Sequence, residues 1–251
     1  EFLANFTSKE KDGPSLSYLW FYSTHFNYYF PESFGKFEPY IKRHYQIYEK
    51  GLQKESDLVF NRYKNSAHYV DHLIRKIVEK IKESGQWEKT ILVVTGDHGE
   101  EFNEFGRFAH SYTFKNVQAS TVFAMHIPGE TESQYKITSH ADLMPTILDY
   151  MDTSIPYVQF LSGKSLLQYD TSQDYALVQE CVNTIRPKKF LIADKDWKME
   201  FRLSGNTIES GLLETIKDEP VTSDSSSHFI DIKKGLLKMA KTNLGHYSDQ
   251  N

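Results

Sequence analysis

A chain of 251 residues can bury a substantial core, either as one domain or as a domain with an appendage. Its 34 acidic and 29 basic side chains are interspersed and leave a net charge of −5, which excludes a basic footprint for nucleic acid. The single cysteine excludes an internal disulfide, fitting a reducing compartment or a periplasmic protein without disulfides, and no apolar run reaches the ~18 residues that span a bilayer.

Glu1–Pro14 is polar and reads as loop. Ser15–Tyr22 is aromatic and apolar and predicts a central strand. Ser23–Lys54 carries Pro31, Gly35 and Pro39, with seven tyrosines and phenylalanines between Phe26 and Tyr40, and predicts a long irregular loop leading into a helix. Asn61–Ser84 is the clearest helix, because Ala67, Val70, Ile74, Ile77 and Ile81 recur on one face and Gly85 is a good stop. Ile91–Thr95 does not alternate, so it predicts a strand covered on both faces, as in a parallel α/β sheet. Thr121–Ile127 predicts another strand, closed by Pro128-Gly129. Ser139 with Asp142 has the pattern of a capping box, and Pro145 sits where a first helical turn tolerates a missing N–H. After about Leu167 the character changes. Phe190–Ala193 and Trp197–Leu203 predict two strands joined at Asp194-Lys195-Asp196, and Phe229–Lys241 predicts a terminal amphipathic helix. This last part is either a small subdomain or an edge extension of the main sheet.

The chemistry concentrates where the Ile91–Thr95 strand ends. Gly96 and Gly99 bracket Asp97 and His98 and allow a sharp turn. Sites in open α/β sheets form beyond the carboxyl ends of strands. An adjacent carboxylate and imidazole suit a divalent ion with mixed oxygen and nitrogen ligands, such as zinc or manganese. A third potential ligand, His110, follows twelve residues after His98. This pattern points to a hydrolase or transferase of phosphate or sulfate esters. The other histidines read more blandly. His68 and His72 stand one helical turn apart without an assigned role, His126 reads as a packed strand residue and His140 as a loop-ordering one. His44, His228 and His246 join no constellation.

The segment TGDHGEEFNEFGRFAHSYTF resembles the late metal-ligand motif of the alkaline phosphatase superfamily, in its sulfatase-like branch. The pattern is most similar to membrane-anchored bacterial phosphoethanolamine and phosphoglycerol transferases and sulfatase-like inner-membrane proteins. SLSYLWFYSTHFNYYFPESF resembles the strand and His-bearing loop before the site. RYKNSAHYVDHLIRKIVEKI resembles the family helix, and HIPG with SHADLMPTILDYM the strand, turn and helix after the motif. These ordered matches cover roughly residues 15 to 167.

The resemblance implies an α/β fold, a mostly parallel sheet sandwiched by helices, with a small carboxy-terminal antiparallel subdomain. Residues 1–170 would be the carboxy-terminal part of the sulfatase-like domain and 171–251 the subdomain. Asp97 and His98 would bind a divalent ion (Zn, Mn, Mg or Ca), and His25 and His110 would face the substrate. His110 also matches a position that holds a second metal in some relatives. The family nucleophile and its early acidic ligand have no match here, which implies a longer protein with a membrane anchor upstream, its site on the periplasmic side of the inner membrane. Cys181 lacks a sulfatase nucleophile's context and reads as a buried thiol. No Lys stands between Gly99 and His110, a departure from soluble arylsulfatases that favours headgroup transfer on a lipid-linked phosphate ester over sulfate hydrolysis. The competing expectation is a catalytically degenerate sensor or scaffold for lipopolysaccharide.

Overall fold

The computed structural model describes residues 13–131, 137–153, 163–168, 175–180, 189–204, 207–221, 234–235 and 237–238. The chain divides into two units, Glu1–His110 with Ser120–Thr131, and Ser111–Ala119 with Glu132–Asn251.

The first unit takes its core from the irregular loop. Tyr28, Ile41, Tyr45 and Leu52 are buried together with Val59, Phe102 and Phe108. Phe26 meets Tyr28 and Tyr45 edge-on, at 5.9 and 5.3 Å between ring centroids. That arrangement sets a positive ring edge against a negative ring face. The 3₁₀ turn Leu52–Glu55 runs directly into helix α1 (Ser56–Glu83), which therefore begins five residues before the expected start at Asn61. The helix buries Val59 and Ile81, while Ala67, Val70, Ile74 and Ile77 are half-buried. Asn65 is fully buried as well. Its side chain accepts from Phe37 N (2.7 Å) and donates to Phe37 O (3.0 Å), so one amide docks the loop onto the helix. Gly85 ends the helix at φ +69°, a left-handed cap suited to glycine.

Four short strands follow: β1 (Leu92–Thr95), β2 (Glu101–Phe102), β3 (Phe108–Ala109) and β4 (Phe123–His126). β1 pairs antiparallel with β4, and β2 with β3. The expected parallel, doubly covered strand is thus corrected on two counts. All strand pairs among the described residues are antiparallel, and β1 is half-buried with Thr95 exposed. A parallel pair needs a crossover that carries the chain back to its starting end. Between β1 and β4 the described chain forms only the small β2–β3 hairpin and the four-residue helix α2 (Asn116–Ala119). Ser15–Tyr22 also departs from expectation and forms no strand. It has no ladder partner among the described residues, and Leu16, Tyr18, Trp20 and Tyr22 are exposed.

In the second unit Ser139 and Asp142 form the expected capping box, which opens the 3₁₀ turn His140–Asp142 and helix α3 (Leu143–Tyr150). Asp142 also accepts from Lys164 N at 3.0 Å. Gly163 is required beside it, since a Cβ there would lie 1.9 Å from Ala141 O. Strands β5 (Ala176–Gln179), β6 (Lys189–Ala193), β7 (Trp197–Ser204) and β8 (Thr207–Thr215) form an antiparallel sheet in that order. The predicted β6–β7 hairpin is present, and its turn is held by Asp194 Oδ1, which accepts from the amides of Asp196 and Trp197. Phe190, Ile192, Met199, Phe201 and Leu213 form the core.

A buried ionic group ties the 111–119 segment to this sheet. Lys198, 1% exposed, pairs with Asp218 and donates to Phe114 O and Asn116 Oδ1, both at 3.1 Å. Lys115 pairs with Glu214, and Asn116 N donates to Asp218. Cys181 and most of the predicted 229–241 helix lie outside the described residues. No helix among the described residues is long and apolar enough to cross a membrane.

Candidate metal centre

β1 delivers the chain to the site through a tight passage at Gly96. A Cβ there would lie 2.4 Å from Thr121 Oγ1, so only glycine fits without displacement. Beyond it Asp97 Oδ1 accepts from His98 N at 3.1 Å. The Nδ1–H of His98 donates to Gly99 O at 2.7 Å, which leaves Nε2 as the free ring nitrogen. Asp97 Oδ2 lies 3.6 Å from that Nε2. Two ligands of one tetrahedral zinc ion stand about 3.3 Å apart, so the pair is spaced to share an ion after a small adjustment.

The β2–β3 hairpin brings in the rest. Its register pairs Glu101 with Ala109 and Phe102 with Phe108, so the next positions outward are Glu100 and His110. Glu101 is fully buried, and its Oε1 accepts from Phe105 N (3.0 Å) and Arg107 N (2.9 Å), which closes the loop. Ala109 and Ser111, on either side of His110, have φ of +73° and +72°. Such left-handed backbone costs a non-glycine residue on the order of 1 kcal/mol and recurs at functional sites.

His110 Nδ1 lies 3.2 Å from Glu100 Oε2, and the His98 and His110 rings stand 3.7 Å apart, tilted by 35°. His98, Glu100 and His110 form a donor group with one ligand atom from each within 4.8 Å of the others. Burial pushes the Glu100 carboxyl up, opposed by the charge of His110. Burial, and then the Glu100 charge, push the Tyr28 phenol far up, and burial pushes Tyr45 up to about 12. Both tyrosines therefore remain neutral O–H donors. Yet Tyr28 OH, Tyr45 OH and Glu100 Oε1 are buried without a hydrogen-bond partner. Such orphans are uncommon in folded proteins and mark places where structure alone does not explain the polar group. Imidazole nitrogens with carboxylates fit zinc or manganese better than calcium or magnesium, which prefer oxygen shells.

The other histidines lie outside this donor group. His25 is exposed, stacks on Tyr22 at 4.5 Å and places Nδ1 3.0 Å from Phe26 O. His68 and His72 pack on Phe34 at 6.0 and 5.0 Å, and His126 stacks on Trp87 at 3.8 Å. Glu100 was not singled out from the sequence. Its signal is positional: a hairpin turn centred near Phe105 sets residue 100 opposite residue 110.

The sulfatase family profile matches residues 1–153, and the chain belongs to that family, within the alkaline phosphatase superfamily. It is 30% identical over 132 residues to the lipoteichoic acid synthase-like protein YvgJ of Bacillus subtilis (strain 168), covering 47% of this chain and 21% of that one. It is 32% identical over 98 residues to the Kdo(2)-lipid A phosphoethanolamine 7''-transferase of Escherichia coli (strain K12), covering 38% and 16%. A putative sulfatase of Bacteroides thetaiotaomicron VPI-5482 superposes with a TM-score of 0.64 at 13% identity, covering 100% of this chain and 57% of that structure. The chain thus spans about a fifth of the length of these curated relatives.

Proposed function

We propose that the intact protein is a metal-dependent hydrolase or transferase of phosphate or sulfate esters. Its particular reaction is transfer of a lipid or envelope-glycolipid headgroup at the periplasmic face of an inner membrane. The observation that carries this reading is the convergence of His98 and His110, rings 3.7 Å apart, beside the Asp97 and Glu100 carboxylates. Similarity to a lipoteichoic acid synthase-like protein and a lipid A phosphoethanolamine transferase, and the absence of Lys between Gly99 and His110, support the headgroup substrate.

Asp97 and His98 would hold the ion, with the His98 Nδ1–H···Gly99 bond keeping Nε2 available. When bound, a divalent ion supplies Lewis-acid charge, lowers the pKa of a hydroxyl nucleophile and neutralises developing charge. The family nucleophile and its early acidic ligand have no match among these residues and would come from elsewhere in the intact protein. His110 and His25 would face nonbridging oxygens through Nε2, which donates an N–H there when both ring nitrogens carry protons, and such bonds strengthen as charge builds in the transition state. The nucleophile oxygen bonds to phosphorus as the ester bond breaks and the leaving alcohol takes a proton. Water or an acceptor hydroxyl then displaces the enzyme oxygen. A degenerate sensor would not need to retain this donor group.

The test is elemental analysis of the intact protein and of Asp97→Ala, together with turnover of phosphodiester and sulfate ester substrates. Asp97→Ala is expected to lose most bound metal and activity. Unchanged metal content would overturn the ligand assignment.

A further inference from the structure

The reading above leaves one carboxylate unused. Glu100 has His110 Nδ1 3.2 Å from its Oε2, and its charge helps burial push the Tyr28 phenol up. The Glu100 side chain is 8% exposed and Tyr28 is 1% exposed. Neither Tyr28 OH nor Glu100 Oε1 meets a partner at hydrogen-bond geometry. Tyr28 is itself fixed, with Phe26 and Tyr63 edge-on at 5.9 and 5.5 Å and Phe102 at 5.5 Å.

We propose that Glu100, backed by Tyr28, is a positioning residue that holds the His110 ring so that Nε2 points at the transferred group. The reasons are geometric. A carboxylate can only accept at His110 Nδ1, so that nitrogen carries the proton and the opposite nitrogen is the one presented. The His98 ring at 3.7 Å limits rotation about the side-chain axis. The β2–β3 register fixes both backbones, and the left-handed residues on either side of His110 are tolerated because Glu100 and the hairpin over-determine its place. Both histidines then follow one design, with Nδ1 tied to an acceptor and Nε2 free. Carboxylate–histidine pairs of this kind typically change activity or metal affinity by 10–100-fold when the carboxylate is lost.

The inference rests on the reading of His110 as facing substrate, and the experiment separates the two. Ring ¹⁵N NMR of His110 in the intact protein reports its tautomer without any turnover. Steady-state kinetics on a phosphodiester and metal content are measured on the same samples. Glu100→Ala is expected to convert His110 from a single Nδ1–H tautomer to a mixture. It should lower kcat by about 10–100-fold, with KM within about twofold and bound metal unchanged. Glu100→Gln keeps an acceptor oxygen, folds isosterically and is expected to restore the tautomer and most of kcat. Tyr28→Phe should produce a smaller change in the same direction. An unchanged tautomer in Glu100→Ala overturns the proposal. So does equal loss of metal in Glu100→Ala and Glu100→Gln, which makes Glu100 a ligand. A tautomer change without any measurable turnover in the wild type leaves the positioning intact and defeats the function proposed for the site.

Discussion

The two units each bury charge, and they do so differently. In the second unit Lys198 lies among Asp218, Glu214, Asn116 and the Phe114 carbonyl, with every partner within reach. In the first unit Glu100 is almost as deeply buried, but one of its oxygens and two neighbouring phenols have no partner. A buried charge that is fully paired is an internal fastening. A buried charge left half-paired beside two imidazoles has been kept for something other than stability.

Stability measurements sharpen this contrast. Lys198→Ala leaves Asp218 without its buried cation and should destabilise the protein by about 3–5 kcal/mol. Thermal unfolding of the intact protein should show this as a large fall in Tm, with metal content untouched. If Lys198→Ala instead strips the metal while leaving Tm unchanged, the division into fastening and site is wrong. Asn65→Ala comes next. It removes both hydrogen bonds to Phe37 and leaves that residue's backbone groups unpaired, a loss of roughly 1–3 kcal/mol in denaturant unfolding. A neutral result would mean that aromatic packing alone docks the loop on α1.

The smallest effect concerns Glu200 in β7. Burial pushes its carboxyl up, against the attraction of Lys189. The folded value then exceeds the unfolded one. The associated stability is therefore fully present below the ordinary carboxylate value, about 4.3, and is lost as pH rises through the raised folded value. Glu200→Gln should accordingly be more stable than wild type at pH 7 and indistinguishable from it near pH 4. The gain should be well under the ~1.4 kcal/mol of one full pKa unit, since water still screens the group. A Gln variant less stable than wild type at pH 7 would show that the Lys189 attraction dominates.

Local signals in the sequence were read well because each rests on chemistry within a few residues. The Ser139–Asp142 capping box and the Asp194 turn of the β6–β7 hairpin are both closed by neighbouring side chains. The proximity of His98 and His110 was also legible, because Gly96 and Gly99 bracket a sharp turn at Asp97-His98 and His110 follows only twelve residues on. Long-range features were not. Antiparallel pairing of β1 depends on where the chain goes between residues 96 and 122, and an apolar run carries no information about the direction of its partner. Ser15–Tyr22 has strand composition, but a strand exists only with a neighbour to bond. Glu100 was missed because its meaning comes from a register, not from a motif. Asn65 was missed as a docking residue because polar side chains on a helix usually face water.

The hairpin register also bears on how this chain can change over time. Surface loops ordinarily absorb insertions and deletions, since little depends on their length. Residues 103–107 form such a loop by appearance, joining strands of two residues each. Yet position 100 meets position 110 only because the count between them is fixed. Gaining or losing one residue there would slip the pairing and turn alternate side chains to the opposite face. Glu101, whose carboxylate closes the loop from below, or Gly99, which has no side chain, would then stand where Glu100 does now. In descendants of this sequence, apart from Asn103 and Gly106, whose φ of +83° and +87° favour those residue types, the side chains of that loop can change more easily than their number.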